Sequence, residues 1–484
     1  MTGETSHKVD AIAALGIALL VLVLRLPFHP LAILSVDESA YMLVARDLLD
    51  GLWPFAGNFD HKPVGIYLHY AAAMAVGGDD PSSLRWLTTI AGIASALILF
   101  WVARRIAALP LGIAIVAALA LVFASFGLEG TSANSEMILA PYLLGWMAAF
   151  FGFLHGRARF IPTVLLSGAL AGIAVQVNYL AGPLLGCLYL AALATAPAER
   201  WRWVLASGTV SIFVALLHWL PLELAGTLRN YLHLQAQFLG GYQGEASGKD
   251  WAASLPVLAT QLLPMLAVVA GGLVLARPGK AQRDLAFVGL GATLGGLLVA
   301  LASMRLFAHY FYLMLPGLFV LALAILAAAP EAKRRLASYA LLVAALPGLM
   351  IAVGGLKRGY AMPTDAELAA DPGRDRARAI ATRFAPAIPA GSSGYVVCEQ
   401  PVLYLLLGLE DVTDTPFWPL HIYAFMAGAP DEATRIAARR PDFLIIGRSC
   451  KPGDEARLRQ LFEDYRPLGE AEGAELWQAP QGAA

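Results

Sequence analysis

The sequence predicts an all-α polytopic membrane bundle of about eleven transmembrane helices, followed by a small soluble α/β domain at the C-terminal end. Three observations lead to this prediction. First, 58% of the 484 residues are hydrophobic and only 14% are charged, which is too apolar for a soluble globular protein. Second, apolar runs of spanning length recur as far as residue 355. Third, from Leu356 charged residues become common, and short apolar strands alternate with helical patterns.

The apolar runs follow one another with polar breaks between them. They cover residues 11–27, 84–103, 109–126, 136–154, 161–178, 183–196, 204–222, 257–276, 285–304, 310–329 and 336–355. No small-residue cleavage site follows the first run, so we expect an uncleaved membrane anchor there.

Basic residues cluster in alternate loops, and this predicts the orientation of the bundle. The clustered residues are Arg104, Arg105, Arg157, Arg159, Arg200, Arg202, Arg277, Lys280, Arg283, Lys333, Arg334 and Arg335. By the positive-inside rule these loops face the cytoplasm. The loop at 28–83 and all residues after about 356 then lie outside. We therefore predict a transmembrane domain at 1–355 and an outer α/β domain at 356–484.

The outer domain has recognisable local patterns. Strands are predicted at 395–398 and 443–446, and helices at 375–385, 430–440 and 453–465. The three cysteines of the chain are too few for a disulfide scaffold and lack the close spacing of a zinc site. Because Cys398 and Cys450 each stand at or just beyond the carboxyl end of a strand, a bridge between them in an oxidising exterior is one hypothesis.

The stretch from Ser35 to Tyr41 begins the first long polar gap. Ser35 followed by Glu38 is a capping-box pattern, and it predicts a helix that runs to Asp50. Asp37 would lie in the first turn, where free N–H groups and the helix dipole favour an ionised carboxylate, and such a carboxylate can act as a base. The alternative is that Asp37 and Glu38 only cap a surface helix.

Three further polar groups are predicted at the same end of the bundle. They are Asp60, His61 and Lys62; Asn134, Ser135 and Glu136; and Arg305, His309 and Tyr310. An ionisable residue at the edge of a span is unfavourable unless it faces a cavity or a partner. The alternatives are a carboxylate near a helix dipole for Glu136, an interface anchor for Arg305 and an aromatic belt for the tyrosines. Other cations in the outer loops that we consider are Arg46, Arg85, Arg229 and Lys249.

Lys and Arg side chains that face carboxylates in a cavity beside the lipid are suited to one kind of chemistry. A lipid phosphate that carries an activated sugar needs Lys or Arg to hold the phosphate and to stabilise its charge as it leaves. The attacking hydroxyl needs a carboxylate that takes its proton. We expect Lys62 and Arg305 to perform the first task and Asp37 the second.

Taken together, four features resemble a known family: Asp37-Glu38 in a first external loop, Lys62-Pro63 after it, Asn134 to Glu136 at the start of a span, and Arg305 to Tyr310 before another. In their order and sidedness they look like the GT-C membrane glycosyltransferases, especially glycosyltransferase family 39. That family includes the protein O-mannosyltransferases and the bacterial lipid A aminoarabinose transferase.

The resemblance implies an inverting glycosyltransferase that moves a sugar from a polyprenyl phosphate donor to a lipid or glycan acceptor at the outer face of the bacterial inner membrane. It assigns catalysis to Asp37 with Glu38. It assigns donor phosphate binding to Lys62, Arg305, His309 and Tyr310. It assigns substrate positioning to Tyr41, Asp60, His61, Asn134 and Glu136.

The chain departs from the family pattern at two positions. Val64 stands where a second proline often follows Lys-Pro, and His61 stands where the aminoarabinose enzyme has a glutamate. Both argue against that particular enzyme. Residues 223–256 hold no counterpart of the carbohydrate-binding repeats of the protein mannosyltransferases, which argues against a protein acceptor. The segment Glu223–Trp251 is either a mobile flap over the cavity or an ordinary connector.

Other function classes fit less well. A net charge of -1 and a pI near 6.8 argue against nucleic acid as a partner, since the binding of nucleic acid requires a concentrated basic face. Nothing in the sequence requires a bound metal, although dependence on a divalent metal stays open. A secondary transporter or lipid flippase is the main alternative, but its polar residues would gather at the bilayer midplane. If the protein were a noncatalytic scaffold, the four polar groups that contain Asp37, Lys62, Glu136 and Arg305 would have no function in common.

Overall fold

The computed structural model describes residues 3–32, 35–56, 60–124, 130–195, 200–242, 255–256, 258–302, 307–359, 375–412, 432–447, 450 and 452–480. Contacts between residues divide the chain into two units. The first unit contains Met1–His29, Arg85–His218 and Ala246–Tyr360. The second contains Pro30–Leu84, Trp219–Glu245 and Ala361–Ala484.

Helices make up most of the described chain before residue 360. In order they are α1 Gly3–Arg25, α2 Val36–Leu49, α3 Val64–Gly77, α4 Ser82–Ile106, α5 Leu109–Phe123, α6 Ser135–Leu154, α7 Phe160–Val177, α8 Ala181–Ala194, α9 Arg200–Leu217, α10 Leu220–Leu224, α11 Leu228–Tyr242, α12 Leu263–Leu275, α13 Lys280–Ala302, α14 Leu315–Ala327 and α15 Glu331–Gly359. A 3-10 helix at Ala308–Met314 precedes α14.

Each apolar run that the sequence predicts as a span overlaps at least one of these helices. Within the described residues, seven helices are long and apolar enough to cross a membrane, and four shorter apolar helices accompany them. One of the four, α3, was not predicted, because it lies in the segment that we assigned to an outer loop. The predicted number of eleven spans therefore stays a prediction.

The first unit packs its helices closely through small residues. Gly289 on α13 and Gly317 on α14 show the reason, because a Cβ at either position would meet backbone of the other helix at 2.6 Å or less. Small residues allow such an approach between helices that have no water to exclude. Large apolar side chains such as Ile12, Leu165 and Leu273 remain exposed on the outside of this unit, as lipid-facing residues do.

In the second unit, α2 packs against α3, and α3 meets the segment that follows α9. Val64, Leu222 and Tyr231 form a buried cluster that joins α3, α10 and α11. The described part of the segment Glu223–Trp251 is thus largely helical as far as Tyr242, and the part from 243 to 251 lies outside the described residues.

The C-terminal domain of the second unit is α/β, as predicted. It contains α16 Arg376–Phe384, α17 Val402–Leu407, α18 Glu432–Arg439 and α19 Pro452–Leu461, with strands β1 Ser393–Val397, β2 Glu410–Asp411, β3 Phe443–Ile446, β4 Arg466–Ala471 and β5 Ala474–Gln478. The strand order is β2-β1-β3-β5-β4. The β1 strand runs parallel to β2 and β3, whereas β5 is antiparallel to its neighbours β3 and β4.

Alternate residues of the central strands enter two cores. Val396 and Ile445 pack on one face of the sheet, and Tyr395 and Leu444 pack on the other. This is the period of two that a strand buried on both faces produces. The predicted strands are confirmed, while β2, β4 and β5 were not predicted.

Cys398 and Cys450 form a disulfide, as hypothesised from their positions at the ends of β1 and β3. The bond joins residues 52 apart in the sequence, whereas Cys187 is a free thiol. A bridge over this length restricts the unfolded chain and stabilises the folded domain.

We expect Cys398→Ser to lower the free energy of unfolding of the C-terminal domain by about 4 kcal/mol, because the loop-closure entropy is lost. The measurement is chemical denaturation followed by hydrogen exchange of the backbone amides of β1 and β3. Cys187→Ser is the matched control and should leave the midpoint unchanged. Equal midpoints for Cys398→Ser and the unmutated protein would contradict the expectation.

Candidate active site

Asp37 lies in the first turn of α2, as the sequence predicted. Ser35 takes the extended conformation of an N-cap, but its side chain makes no capping hydrogen bond. Its carbonyl instead accepts the backbone N–H of Glu38 at 3.2 Å. The predicted capping-box bond of Ser35 is therefore wrong, whereas the predicted helix is confirmed as far as Leu49.

The carboxylate of Asp37 is held from within its own helix. The Tyr41 hydroxyl donates to Asp37 Oδ2 at 3.1 Å, one helical turn later. Tyr41 and Glu38 are fully buried, while Asp37 is partly exposed. Asp37 thus combines a fixed orientation with access from outside the protein, which a base that receives a proton from a substrate requires.

Tyrosines of α3 connect this group to the second predicted group. The Tyr41 ring packs edge-on against Tyr67 and Tyr70, with centroids 6.0 Å and 5.4 Å away. The Tyr67 hydroxyl in turn accepts the backbone N–H of Lys62 at 3.2 Å. Sequence reasoning missed Tyr67 and Tyr70, although their spacing of three residues on one apolar run was the available signal.

Asp60 and His61 form a close pair beside Lys62. Nδ1 of His61 lies 2.7 Å from Oδ1 of Asp60, and the side-chain amide of Gln235 on α11 donates to the His61 carbonyl at 2.6 Å. Burial raises the pKa of Asp60, but the charge and hydrogen bonds of His61 and the charge of Lys62 outweigh it and hold the pKa below its usual value. Asp60 therefore stays ionised and keeps the loop before Lys62 in place.

In the first unit, the third predicted group lies at the start of α6, with Asn134 as the N-cap and Glu136 in the first turn. The Glu136 carboxylate is buried and accepts hydrogen bonds from Ser135 Oγ at 3.1 Å and from Asn178 Nδ2 at 3.0 Å. Asn178 Nδ2 also donates to Ser135 Oγ at 2.9 Å. The sequence does not single out Asn178, because a short polar break of this kind is typical of a connection between two spans.

The fourth group is only partly described. His309 and Tyr310 lie in the 3-10 helix Ala308–Met314, with ring centroids 4.7 Å apart, and Arg305 lies outside the described residues. This 3-10 helix packs against α6, where the Tyr312 hydroxyl contacts Met137 Sδ at 3.1 Å. The third and fourth groups are therefore neighbours within the first unit.

Two buried arginines of the first unit hold the segment that leads to α6. Arg25 donates to the carbonyls of Phe123 and Gly130 at 3.1 Å and 2.8 Å, and Arg85 donates to the Thr131 carbonyl at 3.3 Å. Burial and the charges of Arg25 and Arg85 lower the pKa of the neighbouring His29 to about 4. The guanidinium groups thus donate hydrogen bonds to backbone carbonyl groups that are not paired within a helix, and they stabilise this segment.

The structure thus joins the first predicted group to the second in one unit, and the third to the fourth in the other. The approach of all four groups to a single substrate stays a prediction. Within the described ranges, no group of three His, Cys, Asp or Glu residues is placed to hold a metal ion.

Comparisons with known proteins identify similar sequences over part of the chain. No family model matches. The chain is 30% identical over 274 residues to the undecaprenyl phosphate-alpha-4-amino-4-deoxy-L-arabinose arabinosyl transferase of Pseudomonas aeruginosa strain LESB58, covering 52% of this chain and 48% of that protein. A transferase of that name, numbered 2, from Pseudomonas fluorescens strain Pf0-1 is 27% identical over 321 residues, or 57% of its length. The chain spans about half the length of these relatives.

Solved structures confirm the fold over almost the whole chain. ArnT from Cupriavidus metallidurans bound to undecaprenyl phosphate superposes with a TM-score of 0.65 at 14% identity, covering 98% of each chain. The oligosaccharyltransferase of Archaeoglobus fulgidus gives a TM-score of 0.54 at 12% identity, covering 97% of this chain and 74% of that one. The expected resemblance to the GT-C fold is therefore confirmed. The relatives carry the name of the aminoarabinose branch.

We expect Asn178→Ala to lower the free energy of unfolding by about 1–3 kcal/mol, because the buried Glu136 carboxylate loses a hydrogen-bond donor. Asn178→Asp should be more damaging, since it places a second carboxylate against Glu136. The measurement is thermal unfolding in detergent. Combining Asn178→Ala with Glu136→Gln should restore part of the loss, and additive effects of the two substitutions would show that the pair does not interact.

Proposed function

We propose that the chain is an inverting glycosyltransferase that moves a sugar from a polyprenyl phosphate to a lipid or glycan acceptor at the outer face of the inner membrane. The observation that carries the proposal is the geometry of Asp37, which is partly exposed, fixed by Tyr41 and connected through Tyr67 to the loop of Lys62. The likeness to structures with the GT-C fold, and to relatives named as arabinosyl transferases, supports the same reaction.

Each residue has a distinct task in this reaction. Asp37 takes the proton of the acceptor hydroxyl as that oxygen attacks the sugar carbon on the face opposite the phosphate. The bond between that carbon and the phosphate oxygen breaks, and the polyprenyl phosphate leaves with its negative charge. Lys62 and Arg305 stabilise the charge on the leaving phosphate, assisted by His309 and Tyr310. Glu38 acts in catalysis beside Asp37, and Tyr41, Asp60, His61, Asn134 and Glu136 keep these groups and the substrates in position.

Two features support an active site on the outer face. The disulfide Cys398–Cys450 belongs in an oxidising compartment, so it favours a C-terminal domain outside the cytoplasm. The positive-inside rule predicts outer segments at 28–83 and 356–484, and the segment Glu223–Trp251 is predicted to be an external loop as well. The second unit gathers these same regions, at Pro30–Leu84, Trp219–Glu245 and Ala361–Ala484.

The donor is expected to be an undecaprenyl phosphate sugar. A relative's name includes this carrier and a 4-amino-4-deoxy-L-arabinose group, and the solved ArnT structure contains undecaprenyl phosphate. A bacterial envelope lipid or glycan, such as lipopolysaccharide, is the proposed acceptor class. Incubation of purified protein with radiolabelled undecaprenyl phosphate sugars and envelope extracts tests donor and acceptor together.

We expect Asp37→Asn to lower kcat by about 100- to 10,000-fold, because the amide cannot take the proton of the acceptor. The measurement is transfer of radiolabelled sugar by purified protein in nanodiscs. Asp50→Asn, at the other end of α2, is the matched control and should retain activity. Full activity of Asp37→Asn would refute the assignment of the base. Movement of a substrate across reconstituted vesicles without a new glycosidic bond would instead favour the transporter alternative.

We expect Lys62→Ala and Arg305→Ala to weaken binding of undecaprenyl phosphate by about tenfold or more, since each removes a charge-assisted hydrogen bond to phosphate worth about 1.5–3 kcal/mol. Binding is measured by the quenching of intrinsic tryptophan fluorescence. Arg229→Ala removes an exposed cation of α11 and should not change the affinity. Unchanged affinity in both substituted proteins would place the phosphate site elsewhere.

A further inference from the structure

The carboxylate of Asp375 connects the C-terminal domain to the chain that leads into α2. Its Oδ2 atom accepts the backbone N–H of Ala32 at 2.7 Å. Its Oδ1 atom accepts the backbone N–H of Arg378 at 3.2 Å, which makes Asp375 the N-cap of α16. Asp375 is 8% exposed and Ala32 is fully buried, so the bond between them is shielded from water, whereas the bond to Arg378 is partly buried.

Apolar packing joins the same two parts of the second unit. Ala32 and Leu43 are fully buried and belong to the same cluster as Val396, Leu403 and Phe384 of the C-terminal domain. The short helix α17 packs directly against α2. One face of the sheet is therefore completed by side chains of the segment that carries Asp37.

Ion pairs lie around this packed region. Arg46 near the end of α2 pairs with Asp411 at 3.6 Å, and Arg378 pairs with Asp80 at 3.0 Å. All four side chains are partly exposed, so each pair contributes little energy and mainly fixes orientation. The C-terminal domain thus contacts the segment before α2, the middle of α2 and its C-terminal end.

We propose that the C-terminal domain positions the catalytic helix α2, and that Asp375 is the positioning residue that fixes the approach of the chain to Asp37. The proposal rests on the proposed function, because it takes Asp37 as the base. A base must be held within a fraction of an ångström of its working position. The Tyr41 hydrogen bond and the packing of α2 against α3 hold Asp37, and the domain adds contacts at Ala32 and Leu43.

The test compares Asp375→Ala and Asp375→Asn with Asp442→Ala in the full chain in nanodiscs. Asp442 is the matched control, since its carboxylate also accepts a backbone N–H, that of Ser393 at 2.9 Å, but stays within the domain. We expect Asp375→Ala to lower kcat about tenfold or more, since misplacement by ~1 Å can lower a rate ~100-fold, with KM for the donor nearly unchanged. Asp375→Asn, which keeps one acceptor oxygen, should have an intermediate effect.

Hydrogen exchange of the amides of α2 provides a readout that does not depend on activity. In the Asp375→Ala protein the backbone amides of Val36–Leu49 should exchange faster than in the unmutated protein. In the Asp442→Ala protein their exchange should be unchanged. Equal exchange and equal kcat in Asp375→Ala and the unmutated protein would overturn the proposal. An equal loss in Asp375→Ala and Asp442→Ala would also overturn it, because a general weakening of the domain would then be the cause. If the unmutated protein transfers no sugar, the proposed function fails, while the exchange comparison still decides whether the domain holds α2.

Discussion

The packing of α2 against α3 is the interaction on which the candidate site of the second unit depends. Tyr41 on α2 contacts Tyr67 and Tyr70 on α3, and the hydroxyl group of Tyr41 donates a hydrogen bond to the Asp37 carboxylate. One buried ring therefore combines a packing role with an orienting role. Because aromatic side chains have few rotatable bonds and a large contact area, the position of Asp37 is fixed with little loss of side-chain entropy.

Buried polar groups in the first unit follow a different rule. A helix bundle that faces lipid offers no water to a buried carboxylate, so the donors must come from the protein. Glu136 receives them from Ser135 and Asn178, and the segment before it is held by Arg25 and Arg85 through backbone carbonyls. The start of α6 is thereby held by hydrogen bonds from Asn178, and the segment before it by bonds from Arg25 of α1 and Arg85 of α4.

The sequence predicted most helices because an apolar run of spanning length has few alternatives to helix in lipid. It also predicted β1 and β3, whose residues are apolar on both faces. The sequence does not predict α3, because the apolar run behind Lys62-Pro63 is short and lies within a predicted outer loop. The β4 strand was missed because its residues Arg466–Ala471 are largely exposed and carry little apolar alternation.

Site residues divide in the same way. Charged residues such as Asp37 and Lys62 can be identified as candidates by residue type alone, because most of this part of the chain is apolar. Asn178 and Asp375 cannot, because their partners Glu136 and Ala32 lie far away along the chain. Tyr67 cannot either, because it packs against Tyr41 of another helix. Pairings of this kind follow from tertiary packing, which local pattern does not encode.

The place of β5 in the sheet has a consequence for biosynthesis. It is the last strand of the described chain, yet it lies between β3 and β4. The sheet on which α2 rests can therefore close only after translation of Ala474–Gln478, although α2 leaves the ribosome among the first helices. Until then the core that Ala32 and Leu43 enter lacks Ala474 and Leu476, so this apolar surface stays incomplete for most of the synthesis of the chain.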